Sequence, residues 1–198
     1  MLFKKILSGI LLCITTLLVY AQNEDETQKD ETVDYTGKIL LNGGLSLGYY
    51  NYGFMGSRTI SVPPINAFLE YGMHEFISTG FFAGYGRWTY DYLSGSSYSW
   101  SFINAGARGS IHITRFFNDV FDQDIDEEKI DWYVSLLAGL EIRGYNSDLY
   151  PDLYDNRTRG FLGPVSGVRY YLGNNFAIYL EGGRGALGYL TFGLSSKF

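Results

Sequence analysis

The residues of this chain that could take part in chemistry are acidic and basic groups that recur on one face of successive strand-like segments. The set comprises Glu70, Arg108, His112, Glu141, Arg143, Arg169 and Glu181. Charges of both signs in a confined space must pair, because an unpaired buried charge costs several kcal/mol. We therefore expect a structural ion-pair network. The alternative that the same groups offer is a gated or proton-sensitive pore.

A second candidate is the acidic stretch at residues 122–126, which has Asp at every second position. The EF-hand pattern needs glycine at its sixth position and glutamate at its twelfth, where this chain has Glu127 and Tyr133. The match is weak, with divalent-ion binding as the lesser alternative. The stretch is predicted to be a solvated acidic connection with a helical turn around residues 117–121, and neither a metal site nor a cofactor is expected.

These groups must be positioned by strands. The chain has 25 Gly, 18 Tyr and 14 Phe but only four Pro, and the glycines lie inside apolar segments, where they suit the bends and close packing of a small barrel. Within the segments, side chains alternate in character with the two-residue period of a strand. Each is long enough to cross a membrane as a tilted strand, which takes about 9–11 residues. The eight segments lie at about 38–50, 62–73, 76–90, 98–113, 130–145, 160–172, 175–184 and 187–198.

The alternation assigns each side chain to one of two faces. The apolar face, expected to point outward, contains Leu41, Leu45, Leu47, Tyr49, Ile65, Ala67, Leu69, Tyr71, Ile77, Phe81, Tyr85, Ile103, Ala105, Ala107, Ile111, Trp132, Val134, Leu136, Ala138, Leu140, Ile142, Leu162, Val168, Tyr170, Phe176, Ile178, Leu180, Leu190, Phe192 and Leu194. Besides the charged set, the inward face contains Asn42, Ser46, Asn66, Ser78, Gly80, Asn104, Gly106, Ser135, Gly167 and Gly193. A soluble barrel would bury the apolar face instead, but charges that share a face with glycines favour the arrangement that lipid requires. The predicted fold is all-β, an eight-stranded antiparallel up-and-down transmembrane β-barrel.

The N-terminal segment has the features of a secretory signal peptide. Lys4 and Lys5 precede an apolar run at residues 6–19, and a small-x-small site precedes Gln22. The run is shorter than the ~20 residues that a transmembrane helix needs. We predict a cleaved signal peptide at 1–21, an acidic disordered periplasmic leader at 22–36 and the barrel at 37–198.

An even number of strands puts both ends of the barrel on one side of the membrane, which is expected to be the periplasm. Short periplasmic turns are predicted at 73–75 and 173–175, and extracellular connections at 51–61, 91–97, 146–159 and 184–186. Aromatic residues near the outer connections are expected to form the upper interfacial girdle, or alternatively a recognition surface. They are Tyr50, Tyr52, Phe54, Trp88, Tyr90, Tyr92, Tyr98, Trp100, Tyr145, Tyr150 and Tyr154.

Three stretches carry a family resemblance: FLEYGMHEFISTGFFAGY at 68–85, GVRYYLGNNFAIYLEGG at 167–183 and GYLTFGLSSKF at 188–198. Together they resemble the small OmpA/OmpX-like outer-membrane barrel proteins over about residues 37–198. The resemblance implies that the last segment is the closing strand and that its outward face serves as an assembly signal. The residues concerned are Leu190, Phe192, Leu194 and Phe198.

The resemblance also raises the question of catalysis, because lipid A deacylase and acyltransferase barrels use His with Ser and an acid near the outer rim. Here His74 lies at a predicted periplasmic turn and His112 at the periplasmic end of its strand, while the outer segments contain neither His nor Cys. A Ser–His–acid arrangement at the outer rim therefore fails on geometry. The chain is predicted not to be an enzyme.

The function predicted from these features is a structural or surface-interaction role in the envelope of a Gram-negative-type bacterium. Eight strands enclose a space that side chains just fill, so the porin-like fold is expected to be plugged by its ion pairs. The alternatives are an accessory barrel subunit of an outer-membrane secretion or assembly machine, and a small specific channel. Expected partners are outer-membrane lipid, the barrel-assembly machinery during insertion and an envelope protein complex. A net charge of −6 gives no electrostatic footprint for nucleic acid.

Overall fold

The computed structural model of the chain describes residues 33–47, 59–91, 97–122, 124–147, 157–185 and 187–198. The predicted signal peptide, most of the predicted leader and the larger part of the three long outer connections lie outside these residues. So do six of the aromatic residues expected at the outer girdle, together with Tyr49. The division of the chain at residues 21, 36 and 37 stays a prediction.

Eight antiparallel strands form a closed barrel, each paired with its neighbour in sequence and β8 paired with β1. In chain order they are β1 (Ile39–Leu47), β2 (Thr59–His74), β3 (Ile77–Asp91), β4 (Ser97–His112), β5 (Ile130–Ser147), β6 (Arg157–Tyr171), β7 (Phe176–Gly183) and β8 (Leu190–Lys197). One helix, α1 (Thr114–Phe121), lies between β4 and β5. The predicted eight-stranded up-and-down architecture is confirmed. Among the described residues, no helix has the length and apolar character needed to cross a membrane.

The barrel closes through the register of β8 against β1, in which Leu40 faces Lys197 and Leu47 faces Leu190. At the edge of this pair, Ile39 and Phe198 exchange two backbone hydrogen bonds of 2.9 Å. We call this edge the terminus end of the barrel, because β1 begins and β8 ends there. The opposite edge is called the far end.

Side chains alternate between the two faces of the wall as the sequence predicted. On β3, Phe81 is 71% exposed on the outside, whereas its neighbour Phe82 is 3% exposed on the inside. Every described residue assigned to the outward face is exposed or half-buried. Apolar side chains on the outside leave the polar ones inside, where the barrel must satisfy them.

The register of β2 against β3 shifts between Val62 and Ile65. The two residues between them are Pro63 and Pro64, which have no backbone N–H to donate to a ladder. Proline in a strand is tolerated at such irregularities. The strand nevertheless continues to Thr59, three residues beyond the predicted start at about 62.

The interior is more apolar than the sequence predicted. Beside the polar residues, the lumen contains a cluster of inward-facing rings and aliphatic side chains: Phe68, Phe82, Leu137, Phe161, Val165 and Tyr179. The rings of Phe82 and Phe161 meet edge to face with their centroids 5.6 Å apart. We call this cluster the apolar layer. Eight strands leave only enough room inside for side chains, and in this chain large ones occupy much of it.

Candidate functional site

The centre of the polar interior is the guanidinium group of Arg108 on β4. It lies 3.2 Å from a carboxylate oxygen of Glu70 on β2 and 2.5 Å from one of Glu181 on β7. It also donates a 2.9 Å hydrogen bond to the hydroxyl of Ser135 on β5. Because Arg108 is only 1% exposed, these partners must offset the cost of removing its charge from water.

A second buried arginine, Arg169 on β6, extends the same cluster toward the terminus end. Its guanidinium group lies 2.7 Å from Asp131 on β5 and 3.2 Å from Glu70. It donates a further hydrogen bond of 3.2 Å to the amide oxygen of Asn42 on β1. Glu70 therefore bridges two arginines, and six of the eight strands are tied together by these contacts and those of Arg108.

Aromatic rings enclose both guanidinium groups. Arg169 stacks 4.0 Å above the ring of Tyr133, and Arg108 lies 4.5 Å above that of Phe68. The hydroxyl of Tyr133 donates a 2.9 Å hydrogen bond to Glu181. Space for this ring depends on Gly167, where a Cβ atom would lie 2.5 Å from the ring of Tyr133. Stacking and charge pairing thus act on the same two arginines.

His112, on the terminus-end side of Arg108, is clamped between polar partners and a ring. Its Nδ1 lies 2.8 Å from Asp131 and its Nε2 lies 3.1 Å from the hydroxyl of Ser78. Tyr35, from the segment before β1, stacks on the imidazole at 3.7 Å and is itself 3% exposed. The segment before β1 therefore covers this end of the lumen with a side chain.

The lumen cluster, defined as Glu70, Arg108, His112, Asp131, Arg169 and Glu181, contains five of the seven charged residues predicted to act together. Asp131 was not among the residues predicted to act together, although it lies inside the segment predicted as a strand at about 130–145. Its parity could have revealed it, since Asp131, Tyr133 and Ser135 occupy alternate positions on one face. With Asp131, three carboxylates face two guanidinium groups and one imidazole.

The structure does not bring Glu141 and Arg143 to the lumen cluster. Glu141 lies near the far end, where it pairs with Arg143 at 2.5 Å and with Arg159 of β6 at 2.7 Å. Leu137, a member of the apolar layer, lies four residues earlier on the same face of β5 and directly opposite Arg108. The predicted single network is thus two clusters with an apolar layer between them.

The prediction that Trp88, Trp100 and Tyr145 belong to an outward aromatic girdle is wrong. The two tryptophans are half-buried and pack against the buried side chains of Phe102 and Leu187 inside the far end. Tyr145 contacts the ring of Trp100 at 4.6 Å. The reason is register: β3, β4 and β5 run unbroken to the far end, so these positions stay on the inward face of their strands.

Ser78, His112 and Asp131 stand in the atomic order of a catalytic triad at the terminus end, where none was predicted. The Ser78 hydroxyl donates a 2.8 Å hydrogen bond to Glu70. With its one proton directed there, Ser78 can only accept from the imidazole, the reverse of activation by a general base. Its side chain is also fully buried. The arrangement therefore serves to hold the lumen cluster together.

The acidic connection contains α1, a helix longer than the single turn predicted. Asp126 pairs with Lys129 at 2.7 Å. The hydrogen bond from the Lys129 side chain, with its backbone N–H and positive charge, lowers the pKa of the Asp126 carboxyl. Over the part of the chain that the structure describes, no three potential metal ligands come together.

The residues expected to form an assembly signal lie on the outside of β8 and at its end. Leu190, Phe192 and Phe198 are exposed and Leu194 is half-buried. Leu194 faces Gly43 of β1 and Ile178 of β7. The outward face of the closing strand is therefore continuous with the apolar exterior of its two neighbours.

Comparison with known proteins supports the fold. No protein-family sequence model matches the chain, and no curated protein is significantly similar to it. Ail, the attachment invasion locus protein of Yersinia pestis, was solved in complex with the heparin analogue sucrose octasulfate and matches with a TM-score of 0.54 at 14% identity, covering 82% of this chain and 99% of Ail.

Two proteins of Pseudomonas aeruginosa match less closely in shape. The outer membrane protein OprG gives a TM-score of 0.48 at 11% identity, covering 85% of this chain and 99% of OprG. The N-terminal β-barrel domain of OprF gives 0.39 at 16% identity, covering 83% of this chain and 98% of that domain. The likeness to Ail shows the fold alone. At that level it confirms the fold that the resemblance implied, a small β-barrel.

Proposed function

We propose that this chain is a non-enzymatic outer-membrane β-barrel with a closed lumen and a structural or surface-interaction role in the envelope. The observation that carries the proposal is the contrast between the two faces of the barrel wall, which is apolar outside and polar inside. Apolar side chains cover the outside of every strand, while Arg108 and Arg169 are held inside by buried carboxylates. An apolar exterior around a polar interior suits lipid outside and not water.

A closed lumen is supported by what fills it. Near the terminus end, the lumen cluster joins five strands, and the apolar layer lies next to it. The far end is occupied by the ion pairs of Glu141 and by the buried side chains of Phe102 and Leu187. Charged side chains that are paired with each other, and aromatic rings that pack edge to face, leave little space for hydrated ions to pass. We therefore favour a plugged barrel over a small channel.

The surface role draws on the position of the far end. In the proposed orientation both ends of the barrel chain lie in the periplasm, and the far end with its long connections faces the outside. Ail, which has the same fold, is named for attachment and was solved with a heparin analogue bound. An adhesive or recognition role for this chain is consistent with that fold.

The location can be tested by fractionation of the native membrane. The apolar exterior predicts that the chain is recovered with the outer membrane, and that its folded form migrates differently from its boiled form on SDS gels. Deleting residues 2–21 should abolish recovery in that fraction. Recovery of the unaltered chain as a soluble periplasmic protein would contradict the proposal.

Conductance measurements test the closed lumen. Protein reconstituted in a planar bilayer should show no large, stable conductance, because the lumen cluster and the apolar layer occupy the cross-section. Phe161→Gly is the comparison variant. It removes a ring from the apolar layer without changing a charge, and it should raise the frequency of small openings. A porin-like conductance in the unaltered protein, changed by Arg169→Met, would show that the lumen is a pore.

A further inference from the structure

We propose that α1 is an interfacial helix that inserts its apolar face into the periplasmic leaflet of the outer membrane, beside the barrel wall. This inference rests on the proposed function, since it needs the barrel to be in lipid. The helix occupies the connection at the terminus end between β4 and β5. None of its side chains belongs to the lumen cluster.

The first argument is the composition of its two faces. Phe116, Phe117, Val120 and Phe121 share one side of α1, at spacings that keep them within about 140° of one another on a helix of 3.6 residues per turn. Phe116, Val120 and Phe121 are each more than half exposed. A soluble connection gains nothing from three exposed apolar side chains on a helix of eight residues.

The second argument is that the polar side of α1 is fastened to the protein. Arg115 pairs with Glu75 at 3.0 Å. The amide group of Asn118 donates a 2.9 Å hydrogen bond to the carbonyl of Ile125 and accepts one of 3.0 Å from its N–H. These contacts fix the rotation of the helix about its axis. The apolar side is consequently held away from the connection that follows it.

The third argument is continuity with the outside of the barrel. Phe117 stacks on Trp132 at 5.2 Å, and Trp132 is an exposed residue of the outward face of β5. The hydroxyl oxygen of Thr114 accepts a 2.7 Å hydrogen bond from the backbone N–H of Trp132, which joins the start of the helix to the same residue. The apolar side of α1 therefore extends the surface that the proposed function assigns to lipid.

The rim around α1 has the residues expected at a membrane boundary. Exposed apolar or aromatic side chains occur there on β2, β3, β4, β6 and the turns, including Tyr71, Met73, Phe76, Ile111, Tyr170 and Leu172. Aromatic residues concentrate where the hydrocarbon meets the headgroups. A helix at that depth, apolar on one side and polar on the other, lies in the plane of the interface.

Site-directed spin labelling tests the inference in the full chain with Cys13→Ser, which removes the single cysteine. Nitroxides are placed by Phe121→Cys, Val120→Cys, Leu136→Cys and Glu128→Cys, one at a time, in protein reconstituted into phospholipid vesicles. Collision rates with oxygen, which partitions into lipid, are compared with those of a water-soluble nickel chelate. Leu136 is the reference for the barrel wall, and Glu128 is the exposed polar control.

We expect the oxygen-to-nickel ratio at Phe121 and Val120 to be several-fold higher than at Glu128 and to approach that at Leu136. Nickel accessibility equal to that of Glu128 would show α1 in water and overturn the inference. Exclusion of both reagents, or spin–spin broadening between labels, would overturn it in favour of a protein partner or a second copy. A low ratio at Leu136 itself would instead overturn the proposed membrane location.

Discussion

Arg169→Met should lower the free energy of unfolding of the barrel by about 3–5 kcal/mol, the cost of leaving buried charges without their partner. Asp131 would keep only its 2.8 Å contact with the imidazole of His112, and Glu70 would keep only Arg108 as a charged partner. The methionine preserves most of the side-chain volume, so the loss reports on charge more than on packing. Urea unfolding of the reconstituted protein, followed by tryptophan fluorescence and by the gel shift of the folded form, measures it.

The matched control for this experiment is Arg159→Met. Arg159 also pairs with a buried glutamate, but its side chain is 41% exposed and Glu141 keeps Arg143 as a partner. Water and the remaining arginine compensate the charge, so we expect a loss of about 0–1 kcal/mol. Equal losses in the two variants would mean that the lumen cluster adds nothing beyond an ordinary surface pair.

Leu194→Arg should reduce the amount of folded barrel, because it places a charge on the outward side of the closing strand, which the proposed function assigns to lipid. Such a substitution costs about 2–4 kcal/mol near the middle of the bilayer. Phe198→Ala should also reduce it, since the chain would lose the exposed aromatic residue proposed to be recognised during assembly. The fraction of heat-modifiable protein in the outer membrane, at equal synthesis, is the measurement.

Ser195→Ala is the control on the same strand. Ser195 lies on the inward face, is 1% exposed, and its hydroxyl has no hydrogen-bond partner among the described residues. Its removal should leave assembly unchanged. If all three variants assemble alike, the outward face of residues 190–198 is neither a lipid-facing surface nor an assembly signal.

The inward charges show what can be predicted from the alternation of side chains along a single strand. Parity along each strand placed Glu70, Arg108 and Arg169 on one face, and the structure finds them in contact. The pairing partners did not follow from parity. They depend on the height of each residue along the barrel, which is set by the stagger between neighbouring strands.

The same stagger explains the separation of Glu141 from Glu70 and Glu181. All three are glutamates on the inward face of their strands, but Glu141 lies beyond the apolar layer, at the far end of β5. The aromatic residues at that end were assigned from their residue type and their nearness to the outer connections, since tyrosine and tryptophan are common at membrane boundaries. Trp88 and Trp100 face inward because their strands stay regular to that level.

The amino-acid sequence by itself determined the strand count and, apart from the aromatic residues at the far end, which side chains point in or out, because these follow from a local two-residue period. Only the tertiary structure decided which side chains contact each other inside the barrel. It joined Asp131 to Arg169, turned the Ser78 hydroxyl toward Glu70, and set α1 against Trp132. These contacts link residues on different elements, and their distances depend on closure of the wall into a ring of fixed stagger. A period read along one strand has no information about that stagger.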